Sequence, residues 1–218
     1  MSAAKLTVPS DELEQYVRDL VGTEDAALLA ARDRHEAADL PTMQISAEQG
    51  RLLAVLLRAI RARRVLEIGT LGGYSGIWIA RSLVGKGHLD TIEANPDHAA
   101  VARGAFGDAG LDDRITIFEG DAVKILPTLH EVYDAVFLDA DKEPLPTYFR
   151  EAVRLTRVGG WVLCDNTFYH GRVLDPDDRA DDVEGIRAYN RLASEDPRLV
   201  TAIVPVRDGL MISLKVGD

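Results

Sequence analysis

The chain has 218 residues, 46% of them hydrophobic, with 36 acidic against 25 basic side chains and a formal net charge of −11. That apolar content can fill a core, which excludes wholesale disorder, and the acidic balance opposes tight non-specific binding of nucleic acid, which needs a cationic surface. The single cysteine, Cys164, excludes an internal disulfide framework and a cysteine-built zinc site.

The length fits one domain over residues 1–218. Met1 to Ser10 hold no apolar signal core, and no apolar run approaches the roughly eighteen residues that span a bilayer, so a soluble cytoplasmic protein without membrane contact is expected. Ser10-Asp11-Glu12 and Thr23-Glu24-Asp25 each open a helical segment. Ser46 followed by Gln49 is a capping-box pattern, and Leu52, Leu53, Leu56, Leu57 and Ile60 recur behind it at helical spacing. From Arg64 the pattern alternates. Val65 to Ile68 reads as a strand ending at Gly69, and Gly73 to Leu83 as a helix. Leu89 to Ile92 is a second strand ending at Glu93, and Asn95-Pro96 starts a helix that Gly110 closes. Ile115 to Phe118 is a third strand, with a helix from Asp121. Asp134 to Leu138 is an apolar central strand, and Trp161 to Cys164 a fifth strand after a Gly159-Gly160 turn. Leu199 to Val204 and Leu210 to Val216 are joined by so short a turn, Arg207-Asp208-Gly209, that they must pair antiparallel. The expected fold class is α/β: a doubly wound, mostly parallel seven-stranded sheet ending in an antiparallel hairpin, with extra N-terminal helices.

Glu67-Ile68-Gly69-Thr70-Leu71-Gly72-Gly73-Tyr74-Ser75 occupies the first strand-to-helix turn, where glycines let the backbone approach a ligand and a helix N-terminus offers free N–H groups. Glu93, 24 residues after Gly69, ends the second strand, where a carboxylate can accept ribose hydroxyls. Together they point to an adenosine site, with the adenine edge expected near Asp121-Ala122. A sulfonium cofactor gives Glu67 a reason to carry charge at an apolar strand end; the competing reading is a partner for Arg63 or Arg64.

Asp139 with Lys142, and Asp165 with Asn166, fall at the C-terminal ends of the fourth and fifth strands. Two carboxylates and an amide oxygen form a hard, all-oxygen set that suits octahedral Mg²⁺ and not zinc. Lys142 is then placed to take the proton of a hydroxyl acidified by the metal.

These motifs, with Met43-Gln44-Ile45-Ser46, Leu66-Glu67-Ile68-Gly69-Thr70, Gly73-Tyr74-Ser75, Thr91-Ile92-Glu93, Gly120-Asp121-Ala122, Phe137 to Lys142, Cys164-Asp165-Asn166 and Asp208-Gly209-Leu210, make residues 40–216 resemble the cation-dependent O-methyltransferases of the catechol and caffeoyl-coenzyme A type, especially small bacterial members. The resemblance implies a Rossmann-like class I methyltransferase fold with a catalytic core over 46–218 and a helical cap or dimerisation segment over 1–45. It implies S-adenosylmethionine as cofactor and Mg²⁺, or another divalent cation such as Mn²⁺ or Ca²⁺. By the same likeness Asp139, Asp165 and Asn166 match metal ligands, Lys142 the general base, and Met43, Ile45, Glu67, Gly69, Thr70, Ser75, Glu93, Ala122 and Asp139 positions at the cofactor. A homodimer is implied.

One departure stands out: where the family has a tyrosine three residues past the lysine, this chain has Leu145, between Pro144 and Pro146. The two prolines are expected to stiffen a loop there. Phe168 and Tyr169 are read as either an aromatic wall or core, and His170 as a loop residue. The leading reading is methylation of a catechol-type phenolic small molecule. Its alternatives are a hydroxylated tRNA nucleoside of the 5-hydroxyuridine type, for which Arg58, Arg61, Arg63 and Arg64 leave room, and a non-catalytic adenosine-binding scaffold.

Overall fold

The computed structural model describes residues 10–218. Three capped helices come first. α1 (Asp11–Val21) is capped by the Ser10 side chain, α2 (Ala26–Ala37) by Asp25, and α3 (Ala47–Ala59) by the full Ser46/Gln49 capping box. Then β1 (Arg64–Ile68), α4 (Tyr74–Ser82), β2 (His88–Glu93), α5 (Pro96–Asp108), β3 (Ile115–Glu119), the short α6 (Ala122–Ile125) and β4 (Tyr133–Leu138) alternate as the sequence predicts. The chain continues with α7 (Leu145–Leu155), β5 (Thr156–Cys164), α8 (Asp181–Glu195), β6 (Leu199–Val204) and β7 (Leu210–Lys215).

The seven strands lie in the order β3-β2-β1-β4-β5-β7-β6. β1 to β5 are parallel, and β7 runs antiparallel to both β5 and β6. Strand order reverses between β1 and β4, which puts the ligand crevice of this architecture at their C-terminal ends. Along β4, Ala135 and Phe137 enter one core with α3, α4 and α5, while Val136 and Leu138 enter a second with α7 and α8. This period of two assigns every strand residue to one face or the other.

Two expectations need correction. Gly159-Gly160 is not a turn before β5 but lies inside it, where the register against β4 shifts between Tyr133 and Ala135. A Cβ at Gly160 would meet the Asp134 carbonyl oxygen at 2.6 Å, so glycine lets the two backbones pass at this irregularity. The Pro144-Leu145-Pro146 segment is not a stiffened loop but the start of α7, with Pro144 as N-cap and Pro146 in the first turn. The first turn has no use for the missing N–H, so proline begins a helix there at no cost. Leu145 is 1% exposed and packs into the α7/α8 core. The structure also places α7 and α8, which the sequence reading leaves out.

Candidate active site

Period two decides the site. In β1, Val65 belongs to the α3/α4 core, so Glu67 points to the same face; by the same count Thr91 and Glu93 of β2 do so, and Asp139 and Asp165 extend β4 and β5 on that side. Leu138 is paired with Cys164, so Asp139 and Asp165 follow as lateral neighbours at adjacent strand tips, and Asp165 N donates to Leu138 O at 3.0 Å. Four carboxylates thus converge at one end and one face of the sheet.

The turn after β1 also has structural duties. Gly69 has φ +99°, and a Cβ there would sit 2.1 Å from the Asp139 carbonyl oxygen. The approach of β4, which seats Asp139, is by itself a reason for glycine at this position. The amides beyond it serve Glu93: Thr70 N and Leu71 N donate to Oε2 at 3.2 and 2.8 Å, and Asn95 N donates to Oε1 at 2.9 Å. The carboxylate expected to receive a ribose is thereby fixed at the turn, with His98 Nδ1 3.5 Å from Oε1.

Glu67 is fully buried. Thr91 Oγ1 donates to its Oε2 at 2.7 Å and pairs with Thr70 Oγ1 at 2.6 Å, while Oε1 has no partner among the described residues. Burial pushes its carboxyl up to about 8, against the hydrogen bond of Thr91 and with help from the charges of Asp139 and Glu93. Arg64 pairs instead with Asp90 and Glu131, and Arg63 donates its backbone N–H to Asp134, so the arginine reading of Glu67 falls away. A buried carboxylate with an unfilled oxygen suits a cationic group on the cofactor.

At the neighbouring tips, the Asp139 side chain is 17% exposed and Lys142 11%, with Lys142 Nζ 3.5 Å from Asp139 Oδ1. Lys142 is therefore no surface lysine. Asp165 is buried, and its Oδ1 accepts from Gln49 Nε2 at 2.6 Å and from Asn166 N at 2.8 Å. Burial raises the Asp139 carboxyl, opposed by the Lys142 ammonium. Burial and then the charge of Asp139 push Asp165 up to about 7. Asn166 has φ +60°, a left-handed conformation that asparagine tolerates better than most residues. Among the described residues no three His, Cys, Asp or Glu side chains form a metal cage. The set here is two carboxylates and an amide, and two buried, mutually repelling carboxylates short of positive charge are the donor chemistry that a hard divalent cation satisfies.

The remaining predicted positions flank this line. Met43 is 67% exposed on the segment before α3, while the Ile45 side chain packs into the α3/α4 core. Ser75 is buried in the first turn of α4, and Ala122 is buried at the start of α6 behind its N-cap Asp121. Tyr169 packs against the α7/α8 core and donates to Asp182 at 2.6 Å, whereas His170 is exposed. The residue that sequence reasoning missed is Gln49. Its capping-box signal was legible, but its second partner is 116 residues away.

With this geometry in hand, comparison with known proteins is decisive. The profile of the O-methyltransferase family matches residues 21–216. The chain belongs to that family. A catechol O-methyltransferase of Mycobacterium tuberculosis is 43% identical over 89% of this chain and 90% of its own, and one of Niastella koreensis is 41% identical over 84% of each. Among solved structures, a Bacillus cereus O-methyltransferase in complex with S-adenosylhomocysteine superposes with TM-score 0.89 at 35% identity, covering 94% of this chain and 97% of that one. A Streptomyces achromogenes O-methyltransferase of tomaymycin synthesis, in complex with S-adenosylmethionine, also has TM-score 0.89, at 37% identity over 94% of this chain and 96% of its own. The mostly parallel seven-stranded sheet and terminal antiparallel hairpin of this family member are those the sequence predicts, and no helix among the described residues is long and apolar enough to cross a membrane.

Proposed function

We propose that this enzyme moves the methyl group of S-adenosylmethionine onto one hydroxyl of a catechol-type acceptor, a small aromatic ring with two adjacent hydroxyls of the caffeoyl kind, with Mg²⁺ held by Asp139, Asp165 and Asn166. The observation that carries the reading is the convergence on one face of Glu67, Glu93 and the Asp139/Asp165 pair, with Lys142 3.5 Å from Asp139. The two relatives named catechol O-methyltransferases and the two neighbours crystallised with the methyl donor or its product support it.

When bound, the cofactor supplies an electrophilic methyl and the divalent cation, with Mn²⁺ or Ca²⁺ as alternatives to Mg²⁺, supplies the charge that gathers and acidifies adjacent hydroxyls. The chain's own groups do the rest. Glu93, held by the Thr70 and Leu71 amides, receives ribose hydroxyls; Glu67, with one oxygen free, faces the cationic part of the cofactor; Met43, Ile45, Gly69, Ser75 and Ala122 line its path. Lys142, on the loop between β4 and α7, accepts the acceptor's hydroxyl proton at Nζ after giving up its own ammonium proton to solvent. Holding the acceptor in line with the methyl is worth several kcal/mol of barrier, on the order of the 7–11 that orientation alone provides.

The tRNA reading fits less well. Arg61, Arg63 and Arg64 stand at the start of β1 and Arg58 at the far end of α3 from Gln49, so the cluster lies at the opposite end of the sheet from the carboxylates. We also assign pairing of two copies to the N-terminal helices, where Leu13, Tyr16, Val17 and Leu20 of α1 are exposed apolar side chains.

The test is methylation of catechol and caffeate by S-adenosylmethionine, followed by product mass, with and without a chelator and with Asp139→Ala. The expected result is a singly methylated ring in the untreated enzyme only. Undiminished methylation after chelation, or with Asp139→Ala, removes the metal from the account; methylation of a tRNA nucleoside and of no phenol moves it to the nucleic acid.

A further inference from the structure

We propose that Gln49 is a positioning residue of the metal site, which makes Asp165 a one-oxygen ligand and so tunes the site toward Mg²⁺ over Ca²⁺. The inference rests on the metal reading above and deepens it. Asp165 Oδ1 accepts two hydrogen bonds, from Gln49 Nε2 at 2.6 Å and from Asn166 N at 2.8 Å. An ionised carboxylate offers about four lone-pair sites over its two oxygens, so two donors fill the capacity of Oδ1. Among the described residues, Oδ2 receives no hydrogen bond and is left for a cation.

Gln49 is itself locked. It is 2% exposed, its Oε1 accepts from Ser46 N at 3.5 Å, and its own N–H donates to Ser46 Oγ at 3.3 Å. Reversing the amide would set an oxygen 2.6 Å from a carboxylate oxygen, so the NH₂ must face Asp165. Only an amide meets both ends without titrating: an ionised glutamate could still accept from Ser46 but could not donate to Asp165. Mg²⁺ takes six ligands in a tight octahedron and accepts single carboxylate oxygens, whereas Ca²⁺ takes six to eight and favours bidentate carboxylates. Denying Oδ1 to the ion therefore penalises Ca²⁺ more than Mg²⁺.

Calorimetric titration of the full chain, saturated with S-adenosylhomocysteine, with Mg²⁺ and separately with Ca²⁺ tests this without reference to turnover. Gln49→Glu keeps the capping box and loses the donor; Gln49→Leu loses both. Each is expected to shift the Ca²⁺-to-Mg²⁺ affinity ratio toward Ca²⁺ by about tenfold, the lower end of what outer-shell partners of metal ligands contribute. Ser46→Ala breaks the cap alone and is expected to lower the melting temperature while leaving the ratio unchanged. A ratio that stays at the wild-type value in both Gln49 variants, or that moves equally with Ser46→Ala, overturns the assignment. A wild-type chain that binds neither ion overturns the metal reading beneath it, which is a distinct result.

Discussion

Lys142 Nζ lies 3.5 Å from Asp139 Oδ1, three residues away, with both side chains largely shielded from solvent. This pair joins the proposed base to a proposed ligand. Replacing Lys142 by Met should lower kcat by about 10²- to 10⁴-fold, the usual worth of a positioned base, and leave the affinity for S-adenosylhomocysteine unchanged. Lys142→Arg should not restore the rate, because a guanidinium does not give up its proton. Initial rates on catechol with calorimetry on the product cofactor decide it, and a Met variant within threefold of wild type would remove Lys142 from the chemistry.

Glu67 gives a pH dependence of stability. Its carboxyl is pushed up to about 8 in the ligand-free fold, chiefly by burial, whereas the unfolded chain titrates near the ordinary carboxylate value. The folded state therefore binds the extra proton between those limits, and stability contributed by this group falls as pH rises through that window. Without cofactor, the wild-type melting temperature should drop between pH 5 and pH 8.5 by more than that of Glu67→Gln, with a difference on the order of 5 °C for a chain of this size. Parallel curves for the two proteins would show that Glu67 does not titrate there.

Asp165 illustrates stability set against function. Its carboxyl is raised to about 7 by burial and then by the charge of Asp139, so in the metal-free chain it is a source of strain. Asp165→Asn keeps an acceptor for Gln49 and for the Asn166 N–H and removes the repulsion. The variant should melt a few degrees higher than the wild type at pH 8 without metal, while losing divalent-ion binding and at least about 10²-fold in activity. A variant that melts lower would argue that the carboxylate pair is not strained.

Glu93 has a structural duty as well as a proposed binding one. It accepts from the backbone of Thr70, Leu71 and Asn95, so Glu93→Ala leaves three amides unpaired around the first turn. The expected cost is about 1–3 kcal/mol of stability together with weakened cofactor binding. Denaturant unfolding and calorimetry separate the two effects: saturating cofactor should recover much less stability in the variant than in the wild type. Equal recovery would mean that Glu93 holds the turn and does not hold the ribose.

How much of this was legible in the sequence differs residue by residue. Strand-and-helix order, the Ser46/Gln49 cap and the terminal hairpin follow from periods of 3.6 and 2 and from capping chemistry, all of which act within a few residues. The shared face of Glu67, Glu93, Asp139 and Asp165 was also latent there, since each stands at or just past a strand end at the same parity as a residue of the α3/α4 core: Val65, Leu89, Phe137 and Leu163. The start of α7 is ambiguous in sequence because Pro144 and Pro146 suit a stiffened loop as well as a first helical turn, and the burial of Leu145 in the α7/α8 core is decided by packing.

The amino-acid order alone thus determined which residues end the strands and with what chemistry, because propensity, capping and alternation are local forces. Tertiary structure alone decided the partners: Gln49 on Asp165, Thr91 under Glu67, the Asp139 carbonyl against Gly69. Those contacts depend on the lateral register of strands far apart in the chain, which is fixed only when two helical layers close over the sheet and each buried polar atom must find a mate.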